Sequence, residues 1–462
     1  MKTTIIAKNF IYSYKNFSYR TRPILLTSLT LIYLVNTFIH WEFLNILVNS
    51  ICLLCIIICF PFVKSSARIV TSILLLFGSI LLILAGADLK FWMSSIGKNI
   101  NLVTLLIIVP IFGLPLYYGG YYKVLDALAC RYMNSGHRIY WIPALLAHFF
   151  GALMNIGAIP VVYQLIIRGK LSSAFRTVPI AILRGFSSAI YWSPNMISVA
   201  VVTHYLNIPW KKFAQIGIIF TLLSLLAGWL VNVYFFNKKT SKPKQETKDI
   251  QVNSKKLTEL IIFCSIFLGI IIIIAIKTTI PILNAVPLIA LVYPVIWLSF
   301  LGKGNLIYNA YRDYTKNTLP KFTSEVVIFL GVGFFAAGIL ASGSNDKISL
   351  FLYEFIGLNS YLLCFFISSS VIILAILGIT PMVTVMAYSA SLNPDLIGLS
   401  PQLLSLVLVG GWATGILVSP FTGITLIMSG LTEKTPFETA RENWPYAAIM
   451  VLLLSAVPIL QK

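Results

Sequence analysis

Two stretches of the chain carry the same order of helix breakers. Gly157–Ala158–Ile159–Pro160 precedes Gly185–Phe186–Ser187–Ser188–Ala189–Ile190–Tyr191–Trp192–Ser193–Pro194. In the second half, Gly378–Ile379–Thr380–Pro381 precedes Gly411–Trp412–Ala413–Thr414–Gly415–Ile416–Leu417–Val418–Ser419–Pro420. Both halves read Gly-x-x-Pro and then Gly-x4-Ile-x2-Ser-Pro, each inside an apolar segment. Proline has no N–H to donate and disrupts the helical ladder wherever it falls inside one. Paired breaks at matching places in two halves of a membrane chain point to a transport site between them.

The environment of these breaks follows from composition. Of the 462 residues, 58% are hydrophobic and only 10% are charged, against roughly 25% charged in a soluble domain. Repeated apolar runs of about 20 residues each match the thickness of a bilayer. The chain is therefore expected to be an all-α polytopic membrane protein, with the lipid bilayer as its solvent. The net charge of +20 reads as basic loops on one membrane face, not as a nucleic-acid surface. Six cysteines are present. Cys52, Cys55, Cys59, Cys264 and Cys364 fall in apolar runs, where they read as small packing side chains and not as a disulfide or metal set.

Spans are predicted at 23–40, 43–63, 68–86, 102–122 and 213–236, then at 257–276, 281–301, 326–342 and 444–460. An amphipathic stretch runs from Lys123 to Arg138, and the polar, Tyr-containing stretch 303–325 is expected at an interface. Four segments are interrupted: 139–167, 177–203, 361–391 and 401–430. At about 1.5 Å per residue, 139–167 and 361–391 are too long for one crossing. They are also too short for two, so each is predicted to enter and leave by the same face. With this reading most of the 34 Lys and Arg lie on the side of the N-terminus. With full crossings the Lys-rich linker 237–256 and several other basic loops would move outside. Five crossings per repeat, an odd number, then make the two repeats inverted.

The expected organisation is about 11 transmembrane helices plus two re-entrant hairpins. Residues 1–42 are a basic segment with an extra first span, read as retained and not as a signal peptide. Residues 43–236 form the first repeat, 237–256 a cytoplasmic linker, and 257–462 the second repeat. The expected location is a bacterial inner membrane, with the N-terminus cytoplasmic and the C-terminus outside.

This layout resembles the ion transporter superfamily, particularly the divalent anion:sodium symporters. That resemblance implies an extra first helix and two inverted repeats, each with a re-entrant hairpin followed by a broken helix. It also implies a possible homodimer. The Ser-Asn-Thr signature of dicarboxylate members is absent. Met154–Asn155–Ile156–Gly157 and Leu377–Gly378–Ile379–Thr380 stand at those places, and only Asn155 and Thr380 keep the polar character.

A helix broken in mid-membrane exposes N–H groups suited to an anion, and carbonyls that with hydroxyls suit Na+. Around the breaks lie Asn155, Ser187, Ser188, Ser193, Asn195, Ser198, Thr380, Thr384, Thr414, Ser419, Thr422 and Thr425. Asn155, Ser193, Asn195, Thr380, Ser419 and Thr422 of this set, together with Gly157 and Arg184, are expected to bind substrate. Asn155, Ser188, Thr380 and Thr414 are expected to bind the cation. Arg184, just before Gly185, either faces the cavity and pairs with an anionic group or snorkels to the interface. All fourteen acidic residues fall in loops or at span ends. A buried carboxylate for proton coupling is thus missing, and His148 is the only midspan candidate for titration near neutrality, its other reading being a packed histidine.

The expected function is sodium-coupled symport of a small anionic organic solute. The alternative is export or antiport of an inorganic anion or a cation. An intramembrane enzyme or a scaffold is a third reading, but no acid–base or metal constellation supports it. No cofactor is expected beyond Na+ as coupling ion, and the absence of a P-loop excludes ATP-driven transport by this chain alone.

Overall fold

The computed structural model describes residues 2–63, 65–121, 124, 136–167, 176–236, 253–278, 282–356 and 359–461. Among them the secondary structure is helical throughout, as an environment without competing water requires. Among the described residues, nine helical segments are long and apolar enough to cross a membrane, and the shorter Ser360–Ile376 and Trp444–Leu460 are apolar as well. The chain is an all-α polytopic membrane protein.

It divides into two compact units, and the division does not follow the boundary between the repeats. One unit comprises Met1–Ile111 with Lys303–Ser344, the other Phe112–Gly302 with Asn345–Lys462. Each half of the sequence thus contributes to both.

In the first unit, Ser65–Leu84 packs along Thr323–Ala341. Small residues allow the approach. A Cβ on Gly338 would stand 2.9 Å from the Gly78 carbonyl oxygen, and one on Gly333 2.9 Å from Asn99 Cγ. Asn99 Nδ2 also donates to the Phe329 carbonyl at 3.0 Å. The glycines of Thr323–Ala341 are therefore packing residues, as small residues in membrane helices commonly are. Leu89–Ile96 is a helix that the apolar pattern did not announce, because it is short. Asp88 caps it, accepting from Phe91 N at 2.8 Å.

The segment expected as one span over 102–122 is interrupted. Ile100–Ile108 passes through a 3-10 turn, Val109–Gly113, into Leu114–Tyr118. Pro110 lies in that turn, where its missing N–H loosens the ladder. Most of the amphipathic stretch from Lys123 to Arg138, and linker residues 237–252, lie outside the described residues. From the end of the linker, Ser254–Lys277 starts under an Asn253 cap.

The second unit holds all four interrupted segments. Gly136–Met154 and Ala158–Ile167 flank a 3-10 turn at Asn155–Gly157. Thr177–Ala189 and Ile197–Tyr205 flank the first break. Ser360–Ile376 and Pro381–Ser391 flank the turn at 377–380. Pro401–Val418 and Gly423–Thr432 flank the second break. Every residue of Thr177–Ala189 is buried, as is every residue from Leu403 to Val418. A helix buried on all sides belongs at the centre of its unit. Each of these two helices packs against both arms of the preceding interrupted segment.

Candidate functional site

The breaks form because specific backbone groups lose their helical partners. Asn155 adopts a left-handed conformation, φ 55°, which asparagine tolerates better than most residues. Its Oδ1 accepts from Ile156 N at 2.8 Å, so that N–H no longer reaches the Ala152 carbonyl one turn back. Ser193 Oγ (3.0 Å) and Asn195 Nδ2 (3.1 Å) from the first break donate to that carbonyl instead. The second break solves the same problem locally. Pro420 cannot donate to the Ile416 carbonyl, and Thr422 Oγ1 (2.6 Å) and Thr425 Oγ1 (3.2 Å) do so.

The two Ser-Pro steps share one local geometry. Ser193 Oγ accepts from Asn195 N at 3.3 Å, and Ser419 Oγ accepts from Phe421 N at 3.3 Å. The side-chain turn over the proline is shared, but the first helix already ends at Ala189, whereas the second runs to Val418, next to Ser419. The sequence match between the breaks is therefore a match of hydrogen bonding.

Side-chain capping varies along the chain, and the helices starting after Trp41, Asn99, Arg176, Phe322 and Asn443 have none. Asp88, Asn253, Asn359, Ser400 and Thr435 each cap a helix with a side-chain oxygen. Met196, Thr380 and Thr422, the N-cap residues at three of the restarts, make no side-chain cap bond. Carbonyls freed at the breaks are thus taken up by Ser, Thr and Asn, while first-turn N–H groups are left without side-chain acceptors. Such ends carry partial positive charge and suit an anion.

Five buried polar atoms around the breaks have no hydrogen-bond partner: Tyr191 OH, Asn195 Oδ1, Thr380 Oγ1, Thr384 Oγ1 and Thr414 Oγ1. Tyr191, Asn195 and Thr414 are at most 1% exposed. Tyr191 OH and Thr414 Oγ1 interact with each other, but not in full hydrogen-bond geometry. Gly415 packs on Pro381, where an added Cβ would lie 3.0 Å from the proline ring. That contact puts Thr414 and Thr380, the preceding residues, on adjoining helices.

The remaining expected residues have other occupations. Gly157 lies in open space, with no atom within 4 Å of a Cβ position. Ser188 Oγ donates to the Gly185 carbonyl at 2.7 Å and lies 2.8 Å from His148 Nδ1. Ser419 is used in its turn and Thr422 on the Ile416 carbonyl. Arg184 neither snorkels nor faces open space. It is 1% exposed, with Nε donating to Asn443 Oδ1 (3.0 Å), Nη1 to the Gly228 carbonyl (2.8 Å) and Nη2 to the Glu442 carbonyl (3.1 Å). Its guanidinium also lies over the Tyr446 ring at 5.2 Å. Tyr191 escaped the sequence reading although it stands inside the repeated motif, since an aromatic in an apolar run reads as packing. At the crossing of the two central helices, Ser187 Oγ donates to the Ala413 carbonyl at 2.6 Å.

No family model matches the chain, and no curated protein sequence matches it. Among solved structures the fold is similar to the YdaH transporter of Alcanivorax borkumensis, at 13% identity and a TM-score of 0.58. That likeness covers 85% of this chain and 97% of the other. It is also similar to MtrF of Neisseria gonorrhoeae, described within a class of antimetabolite efflux pumps, at 13% identity and a TM-score of 0.51. Here the coverage is 84% of this chain and 94% of that one. The chain therefore shares, over most of its length, a fold found in membrane transporters.

Proposed function

We propose that the protein is a secondary active transporter that moves a small anionic organic solute together with Na+ by alternating access. The observation that carries this reading is the set of five buried oxygens without a full hydrogen bond, on Tyr191, Asn195, Thr380, Thr384 and Thr414. Each buried polar atom left without a partner costs about 1–3 kcal/mol, and native structures keep few of them. Others lie elsewhere among the described residues, but these five fall at the breaks, where a site completed by its ligands would use them. Neutral oxygens suit a small hard cation, and the uncapped helix starts at Met196, Thr380 and Thr422 suit a carboxylate or similar group. The two interrupted segments 139–167 and 361–391 act in this reading as re-entrant hairpins of inverted repeats, as in the ion transporter superfamily. Arg184 then serves as an internal tie and not as the substrate's counter-ion.

The test is uptake of labelled small organic acids by proteoliposomes under imposed Na+ and H+ gradients. Na+-driven accumulation of at least one acid is expected. Failure of every gradient to move any of them would sink the proposal. The likeness to MtrF favours a second reading, efflux of an antimetabolite, in which the same site works outward. Resistance of expressing cells to antimetabolites, without solute accumulation in vesicles, would select it.

A further inference from the structure

His148 lies midway along the first arm, Gly136–Met154, and its two ring nitrogens have different partners. Trp192 Nε1 lies 3.2 Å from His148 Nε2. An indole N–H only donates, so Nε2 must present its lone pair. Nδ1 lies 2.8 Å from Ser188 Oγ. The Ser188 hydroxyl hydrogen is directed to the Gly185 carbonyl at 2.7 Å, so Ser188 accepts and Nδ1 carries the hydrogen. The network fixes a neutral ring in one tautomer. The two rings are also stacked, with centroids 6.1 Å apart and planes inclined by 27°.

Adding a proton at Nε2 would set one N–H against another. The imidazole can therefore charge only if the Trp192 indole moves away. Trp192 sits in the first break, beside Tyr191, Ser193 and Asn195, and its own carbonyl holds Trp210 Nε1 at 2.8 Å. Both His148 and Trp192 are partly exposed, so neither proton nor indole is sealed in.

The surroundings supply no competing titratable partner among the described residues. The elements packed on the first arm are Thr177–Ala189, Ala158–Ile167, Trp210–Phe236 and the turn at Asn155–Gly157. They carry Arg184, Tyr163, Lys211, Lys212 and Tyr234, and no Asp or Glu. Arg184 turns to Gly228, Glu442 and Asn443, and Lys211 and Lys212 are exposed. On its own helix His148 is accompanied by His137, Arg138 and Tyr140. His137 pairs with Trp229, Arg138 is exposed, and Tyr140 belongs to a separate cluster with Ala144, Ala181 and Leu225. Tyr191, in the break itself, packs on Phe220.

We infer that His148 is a proton-binding site whose occupancy opens the first break, a proton at Nε2 excluding Trp192 and a seated Trp192 excluding the proton. The two events are linked reciprocally: acid favours the open break, and a closed break releases the proton. The role of this switch in a transport cycle rests on the transporter reading, but the switch itself does not need a substrate.

The experiment uses the full chain in lipid nanodiscs with 15N-labelled histidine, assigning the His148 signal by its loss in H148Q. At about pH 8 a neutral ring protonated at Nδ1 is expected. On acidification toward about pH 5, the range in which histidines exchange charge, a doubly protonated population should grow. It should grow in step with a fluorescence change present in the wild type and absent from W192F. In W192F, with no indole against Nε2, the ring should charge at higher pH than in the wild type. H148Q should show no Trp192 transition. The inference is overturned if the ring stays neutral to about pH 5, if it charges while the Trp192 signal is unchanged, or if W192F titrates like the wild type. None of these readings involves uptake, so their failure is distinguishable from failure of the transport assay.

Discussion

Arg184 Nε donates to Asn443 Oδ1 at 3.0 Å across 259 positions of sequence. Asn443 is the N-cap residue of the last helix, Trp444–Ser455, so one side chain of the first broken helix is bonded to the end of the second repeat. The neighbouring Glu442 extends the tie, pairing with Lys434 at 2.8 Å and Arg176 at 3.1 Å. The two halves are joined at their centre as well, through Ser187 and Ala413.

Arg184→Lys should therefore act on stability. An ammonium has no planar fork to reach the Gly228 carbonyl, the Glu442 carbonyl and Asn443 together. Each hydrogen bond lost from a buried charged group costs about 1.5–3 kcal/mol. A large drop in the thermal unfolding midpoint in detergent is expected. Unchanged unfolding with lost uptake would instead place Arg184 at the substrate.

Two glycines of the repeated motif should respond in opposite ways to alanine. A Cβ on Gly185 would lie 2.0 Å from the Ala144 carbonyl oxygen, and overpacking of this kind costs about 1–3 kcal/mol or more. Gly185→Ala should lose most folded protein in size-exclusion profiles. Gly157→Ala meets nothing within 4 Å and should unfold within about 0.5 kcal/mol of the wild type. If its uptake falls at unchanged stability, a ligand reaches that turn.

Thr384→Val and Thr414→Val remove buried hydroxyls that make no full hydrogen bond. Replacing an unpartnered buried hydroxyl by a methyl should leave the unfolding midpoint equal or raised. What should disappear is the stabilisation by Na+ or by substrate, read as a thermal shift on adding NaCl in place of choline chloride. Retention of the full shift in both variants would remove these residues from the site.

Glu438 gives a prediction about pH. It forms a capping box with Thr435, accepting from Thr435 N and Oγ1 at 2.8 Å each. These bonds hold its carboxyl below the usual range. A carboxylate depressed by folding contributes stability above its unfolded pKa, about 4.3, and loses it as pH falls through the lower folded value. The difference in unfolding midpoint between wild type and Glu438→Gln should thus be present at neutral pH and fade in acid. A difference that grows on acidification would contradict the cap.

The sequence alone determined where the matched breaks fall. Pro194 and Pro420 lack an N–H whatever surrounds them, Asn155 can enter a left-handed turn, and apolar runs of the right length can be satisfied only as helices in lipid. These are local, covalent constraints, and the matched Ser-Pro turns at Ser193 and Ser419 follow from them. What only the tertiary structure decided is which polar groups remain available. Ser, Thr and Asn are alike in sequence as oxygen donors. Yet Ser193 and Asn195 are drawn to the Ala152 carbonyl, Thr422 to Ile416 and Ser188 to His148, while Thr384 and Thr414 find no partner. Arg184 read equally well as a substrate's counter-ion or a snorkelling cation, and its acceptors lie on Gly228, Glu442 and Asn443. Hydrogen-bond partners at such separations are set by how the helices pack, which no short window of sequence contains.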